Sequence, residues 1–183
     1  MTRDASRQRV YDAELAATGG TVLTERLSWD DVTALFHAVI HHPWWTELGA
    51  VVPQLSQARR DSHRSSSDGR QVRIAPAGQD ALTITHELAH HLVTHTGPVG
   101  ATAHGPEFCA ALVRLVQVVG GVPARRRLHD ELVARAVPIG PWWSTEPPAL
   151  AALADTLTAA APGRLRGAVA LPPVVPSPLA TPE

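Results

Sequence analysis

Apolar residues recur at helical spacing in several stretches of the chain. Val32, Leu35, Phe36, Val39 and Ile40 fall on one face of a helix. Ser28, with Asp31 three residues on, resembles the N-cap of that helix, and His42-Pro43-Trp44-Trp45 breaks it. Phe108, Ala111, Leu112, Leu115 and Val119 mark a helix over 106–119, opened by Pro106 and closed by Gly120-Gly121. Pro123 opens a shorter helix to about residue 136. Residues 3–17 also read as helical, with Val10 and Leu15 among charged positions and Thr18-Gly19-Gly20 as the stop. Another helix covers roughly 79–95 and ends at Thr96-Gly97-Pro98, a Gly-then-Pro stop signal. Between these helices the period is lost. Val51-Val52 and Val72-Arg73-Ile74 suggest short strands, and residues 65–69, rich in Ser and ending in Asp-Gly, suggest a turn.

Beyond residue 136 the pattern dissolves. Residues 1–136 are expected to form one domain. Residues 137–160 form an extension broken by Pro138, Pro141, Pro147 and Pro148, helical only over 149–160. Residues 161–183 are dominated by proline, alanine and valine without a usable period. Such a segment cannot bury enough surface to offset its ordering entropy, so a disordered tail is expected.

Composition narrows the function classes. The formal net charge of −1 gives no global field favouring nucleic acid or an anionic membrane. Cys109 is the single cysteine, which excludes a disulfide framework and a cysteine-based zinc ribbon. The charged start Met1-Thr2-Arg3-Asp4 carries no apolar stretch of the kind a secretory signal needs, and no uncharged apolar run is long enough to span a bilayer. A cytoplasmic protein without a membrane partner is expected.

The helix over 79–95 carries the chemistry. His86-Glu87-Leu88-Ala89-His90 is an H-E-x-x-H pentad. Two histidines four residues apart lie one above the other on a helical face, so both imidazoles can bind one ion. Glu87 projects beside them, where a carboxylate can take a proton from a metal-bound water. A tetrahedral catalytic zinc needs a third protein ligand and an open fourth position. His104, just ahead of the helix that Pro106 opens, is the leading candidate, and Glu107 is the alternative. The longer H-E-x-x-H-x-x-G-x-x-H pattern fails, because Val93 and Thr96 stand where it needs Gly and His.

Other candidates carry plainer readings. His37 and His41 also have i, i+4 spacing beside His42, but a solvated helix end accounts for them. His91 and His95 are rotated off the His86/His90 face and read as packing or surface residues. His63 sits between polar residues in a strand or loop, where a surface reading is favoured over one that reaches the cleft. Arg125-Arg126-Arg127 reads as a solvated helix start, and Trp44-Trp45 and Trp142-Trp143 as cover for the core. Cys109 reads as a small buried apolar residue.

The pentad followed by His104-Gly105-Pro106-Glu107-Phe108 resembles the SprT-like zinc metallopeptidase domain, in which the third histidine opens a similar H-G-x-x-F helix start. The chain is also similar to an uncharacterised actinobacterial family of metallohydrolases. That likeness rests on the segment from Arg3 through Glu14, on Val72-Arg73-Ile74-Ala75-Pro76, and on Thr85 through Leu92 with the His104 segment, together about residues 3–120. The resemblance implies an α+β, zincin-like fold, with a short antiparallel sheet packed on a metal-bearing helix and further helices around it. It implies a zinc hydrolase, most simply a metallopeptidase acting on a peptide or protein substrate with Zn2+ on His86, His90 and His104 and with Glu87 as general base. Zincins often add a Tyr or His that stabilises the transition state; Tyr11 is the sole tyrosine, and the role stays open. Some SprT-like proteins act on protein crosslinked to DNA through added DNA-binding elements, so a DNA-associated repair protease is one alternative. Without a zinc ribbon or basic excess, a nucleic-acid partner is not favoured. A zinc-stapled binding module without turnover is the other alternative, and Glu87 argues against it, since a purely structural site needs no base beside its ligands.

The tail reading is testable. Removal of residues 162–183 should leave metal binding and melting temperature unchanged, and limited proteolysis of the full chain should nick there first. A large drop in melting temperature after trimming would show that the tail packs on the domain.

Overall fold

A computed structural model describes residues 6–141 of the chain. Five helices and a small three-stranded sheet make up an α+β fold. Helix α1 is Arg7–Thr18, α2 Trp29–Ile40, α3 Pro43–Glu47, α4 Ala81–Thr96 and α5 Pro106–Ala134. Strands β1 Gln54–Gln57, β2 Ser66–Ser67 and β3 Gln71–Ile74 lie between α3 and α4. Helix α4 runs through the centre, packed on α5, α2, β2 and β3, while α1 packs along α5.

The helices end where their residue chemistry ends them. Ser28 Oγ accepts from the Asp31 amide at 3.2 Å and caps α2. His42 Nδ1 accepts from the Trp44 amide at 3.2 Å and starts α3, with Pro43 at its first position. Asp80 Oδ1 accepts from the Thr83 amide at 2.7 Å and caps α4. The expected break at Gly120-Gly121 is a kink within α5: Gly121 has φ of 75°, which an L side chain rarely adopts, and the helix resumes around Pro123. Arg127 Nε donates to the Ala17 carbonyl at 3.3 Å, tying the second arm of α5 to α1 rather than standing as pure surface charge. Residues 137–140 fold back on α5: Val137 is buried, and the Gly140 amide donates to the Pro106 carbonyl at 2.8 Å.

The sheet departs from expectation in three ways. It is mixed rather than antiparallel, with order β1-β3-β2, β1 parallel to β3 and β2 antiparallel to it. The first strand is Gln54–Gln57, whereas Val51 and Val52 lie in an exposed loop. Strand β2 sits inside the segment read as a turn, and Asp68-Gly69-Arg70 makes the reversal to β3, with Asp68 Oδ1 accepting from the Arg70 and Gln71 amides. Polar β1 and β2 have no apolar alternation to announce them; they form because β3, with buried Val72 and Ile74, lies on α4 and leaves backbone edges to be paired. Trp44, Trp45, Phe36, Leu88, Leu92, Phe108 and Leu112 belong to one continuous core. Cys109 is buried within it. Helix α5 is long and apolar enough to cross a membrane by length and composition, but its most apolar stretch is 67% buried. Core packing accounts for that apolarity. The 149–160 helix, the 161–183 tail and Trp142-Trp143 lie outside the described residues.

The α4 cap yields a prediction. Burial raises the Asp80 pKa, only partly offset by the Thr83 amide and hydroxyl. A raised folded pKa favours the fold fully below the unfolded value of about 3.9, and that contribution fades as pH rises through the folded value. Asp80→Asn keeps the cap without the buried charge, so it should gain stability relative to the parent between pH 4.5 and 7.5. Asp80→Ala should lose about 1 kcal/mol. Urea unfolding at the two pH values measures both.

Candidate metal centre

The pentad occupies the middle of α4. His86 and Glu87 are 6% and 7% exposed, and His90 is half-buried. His104 sits at the end of the loop from α4 to α5, 6% exposed. Gly105 then caps α5 with no room for a side chain, since a Cβ there would collide with Thr102 Oγ1. Pro106 takes the first helical position, and the α4–α5 packing brings His104 back over the pentad. The ligand nitrogens of His86, His90 and His104 all lie within 4.8 Å of one another. This is the one His/Cys/Asp/Glu cluster of metal-binding geometry among the described residues, and Glu107 stands outside it.

The donor set fits a metal ion on local grounds. His86 Nε2 and His90 Nε2 are 3.2 Å apart. Two nitrogens bound at about 2.0–2.1 Å to a tetrahedral ion stand roughly 3.3 Å apart. Phe108, one turn into α5, lies against all three imidazoles, with ring centroids 5.0 Å from His86, 4.4 Å from His90 and 4.9 Å from His104. It forms a dry floor that holds the rings together.

Two residues of α1 complete the surroundings. Glu14 Oε1 lies 2.7 Å from His86 Nδ1, and Glu14 is only 4% exposed. An ionised carboxylate only accepts, so Nδ1 donates and Nε2 keeps its lone pair for an ion. Such an outer carboxylate orients a metal-ligating imidazole and raises its basicity. Burial opposes a proton on His86, but the charge and hydrogen bond of Glu14 outweigh it and raise the His86 pKa. Tyr11 stacks on His86 with centroids 5.3 Å apart and meets His104 edge-on at 5.6 Å. Sequence reasoning assigned no role to Glu14 and left Tyr11 open. A weak signal existed: Arg7, Tyr11 and Glu14 share one helical face at i, i+4 and i+7, an odd polar stripe for a helix that must pack on the core.

Burial pushes the Glu87 carboxyl up to about 7, with His86 pulling it back and Glu14 pushing it further. The imidazoles and Glu87 border an open cavity of about 750 Å3, whose other walls include Tyr11, Ser66, Ser67 and the 97–103 loop. His63 lines a neighbouring cavity that also reaches His86 and Glu87.

His91 and His95 serve packing. His91 Nε2 donates to the Val51 carbonyl at 2.6 Å and stacks on Trp45, while burial lowers its pKa against that hydrogen bond. His95 Nε2 bonds the Gly69 carbonyl. Both pin α4 to the loops beside the sheet. His37 and His41 stack in parallel 5.5 Å apart at the end of α2 and gather no third ligand among the described residues. Comparison with protein-family models, curated proteins and solved structures finds no match to this chain.

The orienting carboxylate is testable. Glu14→Gln should retain the fold and lower zinc affinity by about 10–100-fold in chelator competition. His104→Ala should lose stoichiometric metal, whereas Glu107→Ala should keep it, as read by elemental analysis.

Proposed function

We propose that the chain is a zinc-dependent hydrolase with a zincin-like site, most simply a metallopeptidase. One observation carries the reading: three imidazoles converge on one point with Glu87 beside them, on the wall of an open cavity. A structural metal site has no need of an adjacent carboxylate or of solvent access. Zinc is the ion that three neutral imidazoles with an outer carboxylate suit best. When bound, it supplies Lewis acidity, lowering the pKa of a water toward about 7 and polarising a carbonyl.

The chain's own residues supply the rest. Glu87 accepts a proton from the attacking water and passes it to the leaving amine. Its high proton affinity without a cation reflects burial, and a dication close by would bring the carboxyl into its ionised, basic form. Glu14 keeps His86 in the Nε2-ligating tautomer. Tyr11 borders the same cavity, where its phenol can donate to an oxygen that gains charge. Phe108 excludes water from beneath the imidazoles.

Support for a peptide substrate comes from β2. It is an edge strand of the sheet, and Ser66 and Ser67 line the metal cavity. A free strand edge is a template for an extended chain, which pairs through its backbone with little demand on its side chains.

Glu87→Gln should bind zinc at full stoichiometry and lose at least about 100-fold in turnover of any peptide the parent cleaves in an unbiased library. Retained turnover would sink the mechanism. Lost zinc would place Glu87 among the residues that build the site.

A further inference from the structure

Arg64 borders three cavities at once. The first holds the three histidines, and Arg7 also lines it. The second, of about 540 Å3, adjoins it at His86, Glu87 and Tyr11 and is again lined by Arg7. The third, of about 670 Å3, lies along β1 and β3 and is lined by Arg59 and Arg73. The cavities share Arg64 as a wall, so a chain passing from the imidazoles into either neighbouring cavity meets that arginine.

Arginines outnumber carboxylates along this path: Arg7, Arg59, Arg64 and Arg73 line the three cavities, against Glu14, Asp61 and Glu87. Glu87 is the sole carboxylate lining the metal cavity, against Arg7 and Arg64. Residues 59–73 hold Arg59, Arg60, Arg64, Arg70 and Arg73 against Asp61 and Asp68 only. The whole chain carries a net charge of −1, so this concentration is not general basicity. Asp68 holds Arg73 at 2.8 Å. Arg64 is exposed and pairs with no carboxylate among the described residues. The Arg7 guanidinium lies 5.5 Å from the centroid of the Tyr11 ring, beside the imidazoles.

We propose that the site selects acidic peptides: carboxylate side chains flanking the scissile bond lie against Arg7 and Arg64, with further acidic residues reaching Arg59. The proposal rests on the hydrolase reading of the metal centre and names its substrate class. A peptide fits the path better than a nucleic acid does. Tyr11 is the only Phe, Tyr or Trp among the described residues lining these three cavities, and single strands bind through rows of stacking faces. Each exposed ion pair contributes a factor of about 1.5–5 in affinity, so two or three together give about tenfold, weakened by salt.

Binding tests this apart from catalysis. The full chain carrying Glu87→Gln, loaded with zinc, is titrated into three fluorescein-labelled decapeptides by anisotropy. One has four glutamates around its centre, and its twins carry glutamine or lysine there. The glutamate peptide should bind about tenfold more tightly than the glutamine twin, and the lysine twin most weakly. The advantage should shrink severalfold between 50 and 500 mM salt. Arg64→Gln should remove most of it, Arg64→Lys should restore part, and Arg126→Gln, on the far arm of α5, should leave it intact. Stripping zinc should preserve the preference, because the arginines and not the ion create it. Equal binding of the glutamate and glutamine peptides, or binding of neither, overturns the proposal. So does a preference that survives Arg64→Gln but vanishes without zinc. A single-stranded DNA decamer that displaces the glutamate peptide at lower concentration, through Arg64, reassigns the surface to nucleic acid. Wild-type cleavage of the glutamine and glutamate peptides at equal rates sinks the acidic preference and leaves the hydrolase reading standing. Acidic preference with no cleavage of any peptide does the reverse.

Discussion

The contact between Glu14 and His86 is the constraint around which the other parts arrange themselves. It joins α1 to α4 across 72 residues of sequence, with both groups almost fully removed from water. A buried carboxylate and a buried imidazole each need a hydrogen-bond partner, and here each supplies the other's. Glu87 adds a second carboxyl to the same region and is itself pushed toward protonation. A cation held by the imidazoles would compensate both carboxylates. The electrostatics of the pocket and the geometry of its nitrogens therefore point the same way, although they arise from different elements.

The helices make that contact possible. Helix α5 lies against both α1 and α4, so one element sets the position of the other two. Its first turn does two further things. It presents His104 from the residue just before its N-cap, and it places Phe108 under all three imidazoles. The loop of 97–103, the tight fit at Gly105 and the return of Gly140 onto Pro106 all bear on the placement of that one turn. His91 and His95, on the opposite side of α4, anchor the helix to the loops around the sheet. Histidine thus serves two ends on one helix: a cluster able to hold a metal ion on the cavity side, and backbone-bonding pins on the packing side.

The sheet is small and polar, and its value lies in where it stands. Strand β3 is fastened to α4 by Val72 and Ile74, and β2 is carried to the cavity edge as a consequence. A strand of two serines makes almost no contribution to the core. Ser66, Ser67 and Arg64 of the loop before it line the cavity beside the three histidines.

Within the chain, local signals carried most of the helical architecture. Ser28, Pro43, Pro106, Gly121 and the Thr96-Gly97-Pro98 stop act through neighbouring backbone groups, so they can be read residue by residue. The i, i+4 spacing of His86 and His90 is equally local, and His104 was legible because Pro106 announces the helix behind it. The strands were not legible in this way: β1 and β2 lack apolar alternation and exist because β3 offers edges to pair, while Val51 and Val52 have the composition of a strand but pair with no strand among the described residues. Nor did spacing reveal Glu14 and Tyr11. Their meaning depends on the angle at which α1 crosses α4 and α5, and that angle comes from side-chain packing between segments about seventy and one hundred residues apart. Sequence by itself determined which residues could bind a metal and on which helix face; only the tertiary structure decided which carboxylate, which phenol and which arginines face them, because proximity between distant segments is a property of the packed core and not of any local pattern.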